Sequence, residues 1–134
     1  MSDAMKQLDR LVGTWAVTGG AEGTVRYEWI EGGSFLLQHV DLGGEARGME
    51  VIGHEKPLFG EASEDVRSRF YGHTGDTLDY VYEPDGDTLT IWGGHKGSPA
   101  YFRGTWNGDG TVMAGGWVYP DGGGYESTMT RIDG

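Results

Sequence analysis

Cysteine is absent from the 134 residues, so the chain has neither disulfides nor thiolate metal sites, as suits a reducing cytoplasmic setting. Long apolar runs are missing too: no stretch approaches the roughly 20 residues that a membrane-spanning helix needs. The opening residues, MSDAMKQLDRL, interleave charged and apolar side chains and lack the apolar core of a signal peptide. Cytoplasmic localisation and no membrane partner are therefore expected. Basic residues are scarce. Ten Lys and Arg stand against 21 Asp and Glu, a formal charge of −11. Phosphate backbones are bound chiefly through Lys and Arg, so nucleic acid is not an expected partner. Most of the acidity reads as a solubility device.

Glycine is what the chain has in excess. Its 26 glycines are about one residue in five, against an average of roughly 7%. Aromatic and β-branched residues are interleaved with them throughout, so the chain is not low-complexity, and the glycines mark turns, bulges and strand bends. A length of 134 residues predicts a single domain, 1–134, with one core.

The N-terminus predicts one short helix. Leu8, Leu11 and Val12 follow i, i+3, i+4 spacing with Met5 on the same side, Ser2 or Asp3 can cap the start, and Gly13 can end it. After Gly13 the period changes to two. Strands are expected at GTWAVTG, GTVRYEWIE, SFLLQHVDL, ARGMEVIGH, DVRSRFYGH, TLDYVYEP, TLTIWGG, AYFRGTWN, VMAGGWVYP and YESTMTRI. Between them EGG, GGE, TGD, PDGD, HKGSP, GDGT and DGGG are chemically suited to turns, and EKPLFGEASED reads as an exposed loop. Short strands with hairpin connections predict an all-β fold: an antiparallel up-and-down β-barrel of about ten strands, with the helix plugging one end. Closure removes both sheet edges. A two-sheet sandwich is the alternative.

The stretches LDRLVGTW, YEWIEGGSFLLQHVD, GMEVIGHE and YESTMTRI cover both ends and the middle of the chain. With its short helix, Gly-x-Trp on the first strand and ten-stranded meander, the chain resembles the calycin superfamily. More closely, it resembles small bacterial lipocalin-like proteins without an assigned function, and more distantly nitrobindins and fatty-acid-binding proteins. The resemblance implies that Trp15 packs at the closed end with Arg131 of the last strand across its indole, a structural cation–π pair. The second GTW, at Gly104–Trp106, lies beside the hairpin signal NGDG and is read as coincidence. Nitrobindins hold haem through a histidine near the C-terminus. This chain has none after His95, so no haem cofactor is expected.

Chemistry-bearing motifs are few. His39, His54, His73 and His95 show no i, i+2 or i, i+4 spacing, and no metal site is expected. No Gly-x-Ser-x-Gly elbow, phosphate cradle or complete calcium loop is present. His39, sharing a face with Phe35 and Leu37, is the histidine best placed to point inward. The candidate ligand contacts are Trp29, His39, Glu50, Arg69, Tyr80, Tyr82, Trp92, Tyr101, Arg103 and Trp117. Fatty-acid-binding proteins hold a carboxylate with an Arg and a Tyr from late strands, which by strand position implies Arg103 with Tyr101 or Tyr80.

The leading expectation is a barrel that binds one small, mainly apolar or amphipathic molecule. A second is an enzyme in the same cavity, an isomerase, cyclase or lyase in which Glu50 or His39 moves a proton. A third is a filled barrel acting as an interaction module. A homodimer is compatible with the glycine-rich edges, but nothing specifies one.

Overall fold

The computed structural model describes residues 1–44 and 46–133; Glu45, in the expected GGE turn, and Gly134 lie outside the described residues. The Ser2 hydroxyl accepts from the Met5 amide and starts helix α1, Asp3–Leu8, which tightens into a single 3₁₀ turn over Asp9–Leu11. Gly13, at φ +130°, then turns the chain into the first strand.

Ten strands follow: β1 Gly13–Gly19, β2 Gly23–Trp29, β3 Phe35–Asp41, β4 Arg47–Gly53 and β5 Val66–Gly72 form the first half. The second half is β6 Thr77–Asp85, β7 Thr88–Gly93, β8 Tyr101–Trp106, β9 Val112–Val118 and β10 Gly124–Asp133. Each pairs antiparallel with the next, and β1 pairs with β10, so the meander closes into one barrel. That excludes the sandwich.

Alternation within each strand separates an apolar interior from a charged exterior. At the helix end Trp15, Leu36, Ile52, Val66 and Met113 meet Leu8 and Leu11, all at most 2% exposed. The helix is also tied down by polar contacts. Gln7 accepts from the Gly86 amide, Arg10 donates to the Gly86 carbonyl, and His54 Nε2 lies 2.8 Å from Ser2 Oγ. These contacts come from the turn after β6 and the loop after β4, so the plug is held from two sides.

Arg131 spans the seam between β10 and the 3₁₀ turn. Its guanidinium sits 4.2 Å from the Trp15 ring centroid and donates to the carbonyls of Val12 and Arg10, each at 2.7 Å. Two charge-assisted hydrogen bonds, each worth roughly 1.5–3 kcal/mol, outweigh a cation–π contact of about 0.5–2 kcal/mol. Arg131 thus acts first as a clasp for the chain entering β1.

Glycine is structurally required where β8 faces β9. Gly104 and Gly115 are cross-strand partners on the inward face. A Cβ on Gly115 would be driven into the Arg103 carbonyl oxygen and to 2.6 Å from Gly104 Cα. Both atoms are backbone and cannot swing aside. Gly115→Ala should therefore cost about 1–3 kcal/mol as the strands are forced apart, measured by urea denaturation. A cost below about 0.5 kcal/mol would show that the pair can relax.

Candidate functional site

Above the sealed end the barrel encloses a cavity of about 340 Å³. It starts over Leu11 and Met113 and reaches Ala21, Leu42, Ala46 and Tyr125 at the end opposite the helix. Leu78 and Tyr125 are exposed there. The wall between is largely apolar and aromatic, with Val25, Leu89, Ile91, Phe70, Phe102 and Trp117 contributing. Trp117 organises one side. Its ring is 5.8 Å from that of Tyr80 and 5.6 Å from that of Phe102, both tilted, as aromatic pairs prefer.

The polar groups of the wall gather around Glu50. Register fixes them: Tyr27 pairs with Gln38, Gln38 with Glu50, and Glu50 with Phe70, while Ser68 pairs with Tyr80 one step away. Glu50 is 6% exposed, and neither its Oε2 nor the Ser68 Oγ has a hydrogen-bond partner among the described residues. Burial pushes the Glu50 carboxyl above its usual range. The nearby hydroxyls of Ser68 and Tyr82 offset part of the rise without reaching hydrogen-bond geometry. The Tyr80 phenol is pushed up to about 12, by burial first and the Glu50 charge second. The same two causes raise Tyr27 and Tyr82. At neutral pH these phenols are therefore neutral and able to donate.

Of the candidates, Glu50, Tyr80, Tyr82 and Trp117 line the cavity. Trp29 follows Tyr27 on the inward face but sits at the sealed end, where its indole N–H donates to Asp9 at 2.8 Å. The rest stand on the outer face. His39 points outward, contrary to the expectation, and its Nε2 lies 2.6 Å from Glu28 Oε2. His39 and then Arg26 hold the Glu28 carboxyl below its usual range. Arg69 pairs with Asp79 at 2.7 Å. Arg103 donates to Thr90 and lies over Tyr101 and Trp92, at 5.0 and 5.7 Å from their ring centroids. Arg103, Tyr101 and Trp92 thus form an outer stack, and Trp92 is fixed by donation to Glu83.

Tyr27, Gln38, Phe70 and Phe102 line the cavity without having been singled out, and Ser68 lies beside Glu50 behind that wall. Alternation with Val25 on β2 was the available signal for Tyr27. None of the four histidines lines the cavity, so haem iron would find no imidazole there. Among the described residues no group of three His, Asp or Glu is arranged to hold a metal ion. Among the described residues no helix is long and apolar enough to cross a membrane.

The closed ten-stranded antiparallel barrel with its N-terminal helix is compatible with a calycin-like fold. No known family model matches the chain, and no curated protein matches it either.

Proposed function

We propose that this chain is a lipocalin-like calycin barrel of the small bacterial, cytoplasmic kind that binds one small, mainly apolar molecule without haem or metal. The observation that carries the reading is the cavity of about 340 Å³ with an aromatic wall and a polar cluster at Glu50. Ligand pockets run to roughly 300–1,000 Å³, apolar with a few orienting polar groups, so this one suits a compact ligand. The interior is not filled by side chains, which argues against a barrel serving only as an interaction module.

The carboxylate-binding version of this reading has lost its cation. Arg103 and Arg69 are outside the barrel, and no Lys, Arg or His is among the cavity-lining residues. Two substitutions separate the cavity from the outer stack, with 1-naphthalenemethanol as the fluorescent probe. Ser127 lines the cavity near its open end, and Ser127→Trp should weaken binding at least about tenfold, roughly 1.4 kcal/mol, by occupying the space. Arg103→Ala should leave affinity within about twofold. The opposite pattern would move the ligand to the outer face and sink the proposal. Native mass spectra of freshly purified protein, compared with denaturing spectra, would show any retained natural ligand as a mass lost on unfolding.

Glu50 itself favours a second reading, proton transfer by an isomerase, cyclase or lyase. A buried carboxyl whose ionisation is raised is a stronger base once ionised, so Glu50 as carboxylate is suited to take a proton from a bound carbon acid and, as the acid so formed, to return it. Deuterium passing from D₂O into a C–H bond of a bound ligand, and its loss in Glu50→Gln, would decide for catalysis.

A further inference from the structure

We infer that the cavity selects a ligand with a basic nitrogen, a small apolar amine whose ammonium meets the Glu50 carboxylate while its body rests against Trp117 and Phe102. This rests on the reading that the cavity takes a ligand, and it names which chemistry that ligand carries.

Three features point the same way. First, Glu50 is buried, and its Oε2 has no hydrogen-bond partner among the described residues, although the Ser68 and Tyr82 hydroxyls lie nearby. A buried acceptor without a partner costs free energy, and the gap is worth most to a ligand that brings a charged donor. Second, every group around the carboxyl is neutral. Gln38 faces it from β3, Ser68 and Phe70 from β5, Tyr27 from β2, and Tyr80 and Tyr82 from β6. No Lys, Arg or His is among the described residues that line the cavity, so the charge that compensates an ionised Glu50 would arrive with the ligand. Third, the aromatic rings of Tyr27, Phe70, Tyr80 and Tyr82 lie in the same part of the wall, aromatic rings attract cations, and the net charge of −11 draws cations toward the molecule and repels anions.

Rival ligand classes fit less well. A carboxylate would place two acids together with no cation between them, which disfavours ionisation of both. An alcohol fills one hydrogen bond but leaves the charge uncompensated, so Glu50 would remain protonated beneath it.

Amine binding carries a proton balance. Burial holds the empty site's carboxyl protonated into the range where an ordinary carboxylate has ionised. An incoming R–NH₃⁺ replaces that proton, which leaves to solvent, and an ammonium–carboxylate pair remains. Affinity should therefore climb with pH until Glu50 is ionised in the empty protein. It then levels off, and falls only where the amine loses its own proton.

Three ligands with one hydrocarbon body provide the test: 1-naphthylmethylamine, 1-naphthalenemethanol and 1-naphthoate, titrated calorimetrically against the whole chain. At pH 8 the amine should bind at least about tenfold tighter than the alcohol, with naphthoate weakest. Lowering the pH to 5 should weaken the amine and not the alcohol. In Glu50→Gln, checked for folding by circular dichroism, the alcohol should still bind and the amine's advantage should vanish. An alcohol that equals or exceeds the amine, or an amine preference that survives Glu50→Gln, overturns the inference and leaves the cavity reading standing. If none of the three binds, the cavity reading falls and takes the inference with it.

Discussion

Trp15→Ala should destabilise the barrel by about 3–5 kcal/mol, the largest loss expected from any single truncation in this chain. Trp15 is 0% exposed and fills the sealed end. Its indole N–H donates to the Leu11 carbonyl at 2.8 Å, and its ring packs 5.4 Å from that of Trp106 under the Arg131 guanidinium. Truncation removes the apolar contact, opens a void beneath the helix and orphans the last carbonyl of the 3₁₀ turn. Transfer and cavity terms then add. Domains of this size are stable by only about 5–15 kcal/mol, so the variant should unfold at a much lower urea concentration. Urea titration followed by circular dichroism reads the change. A loss under about 1 kcal/mol would mean that the helix plug collapses onto the gap, and that the sealed end is not the keystone of the fold.

That sealed end was legible in the sequence because its signals are redundant. A capped helix of apolar spacing, Gly13 and Trp15 all specify one geometry, and the turns between strands are rich in Gly and Asp. The ten expected strands accordingly coincide with the observed ones to within one or two residues. Which way each strand faces was harder to read. In SFLLQHVDL both faces carry apolar side chains, Phe35 and Leu37 against Leu36 and Val40, so a period of two cannot choose between them. Leu36 settles the choice by packing at the sealed end, which turns Gln38 inward and His39 outward.

The same propagation places Glu50. Flanked by Met49 and Val51, it would be assigned to the solvent side by local pattern alone. Yet Leu36 pairs with Ile52, both 0% exposed, and the parity of β4 then carries Glu50 into the interior and Met49 out. Aromatic character misled in the other direction. Trp92 and Tyr101 are large enough to suggest the inside, but Ile91 and Phe102 hold the inward positions of β7 and β8. Trp92 and Tyr101 instead build the outer stack with Arg103. Glu50 was a candidate contact from the sequence, but its inward direction is a property of register, fixed once the strands are paired.

Register has placed that acid at a cost, and the cost should be measurable. In ligand-free protein, Glu50→Gln should be more stable than the parent at pH 8 by about 1–3 kcal/mol, the penalty of a buried polar group without partners. Near pH 4 the two should be about equal. The sign follows from the raised ionisation of the folded carboxyl. Below the ordinary value of 4.5 both folded and unfolded chains hold the proton, and no penalty operates. As pH rises, the unfolded chain ionises first, so it binds fewer protons than the folded one and stability falls. The fall ends once the folded carboxyl has ionised as well. Glu28 works in the opposite sense, since its lowered ionisation adds stability above the ordinary value and loses it in acid. Both chains contain Glu28, so subtracting their curves removes it. The raised phenols of Tyr27, Tyr80 and Tyr82 act only in strong alkali. Urea denaturation of both chains at pH 4, 6 and 8 provides the subtraction. A difference that stays constant with pH, or a parent that is the more stable at pH 8, would mean that Glu50 finds compensation in the empty barrel and has no unmet demand for a cation.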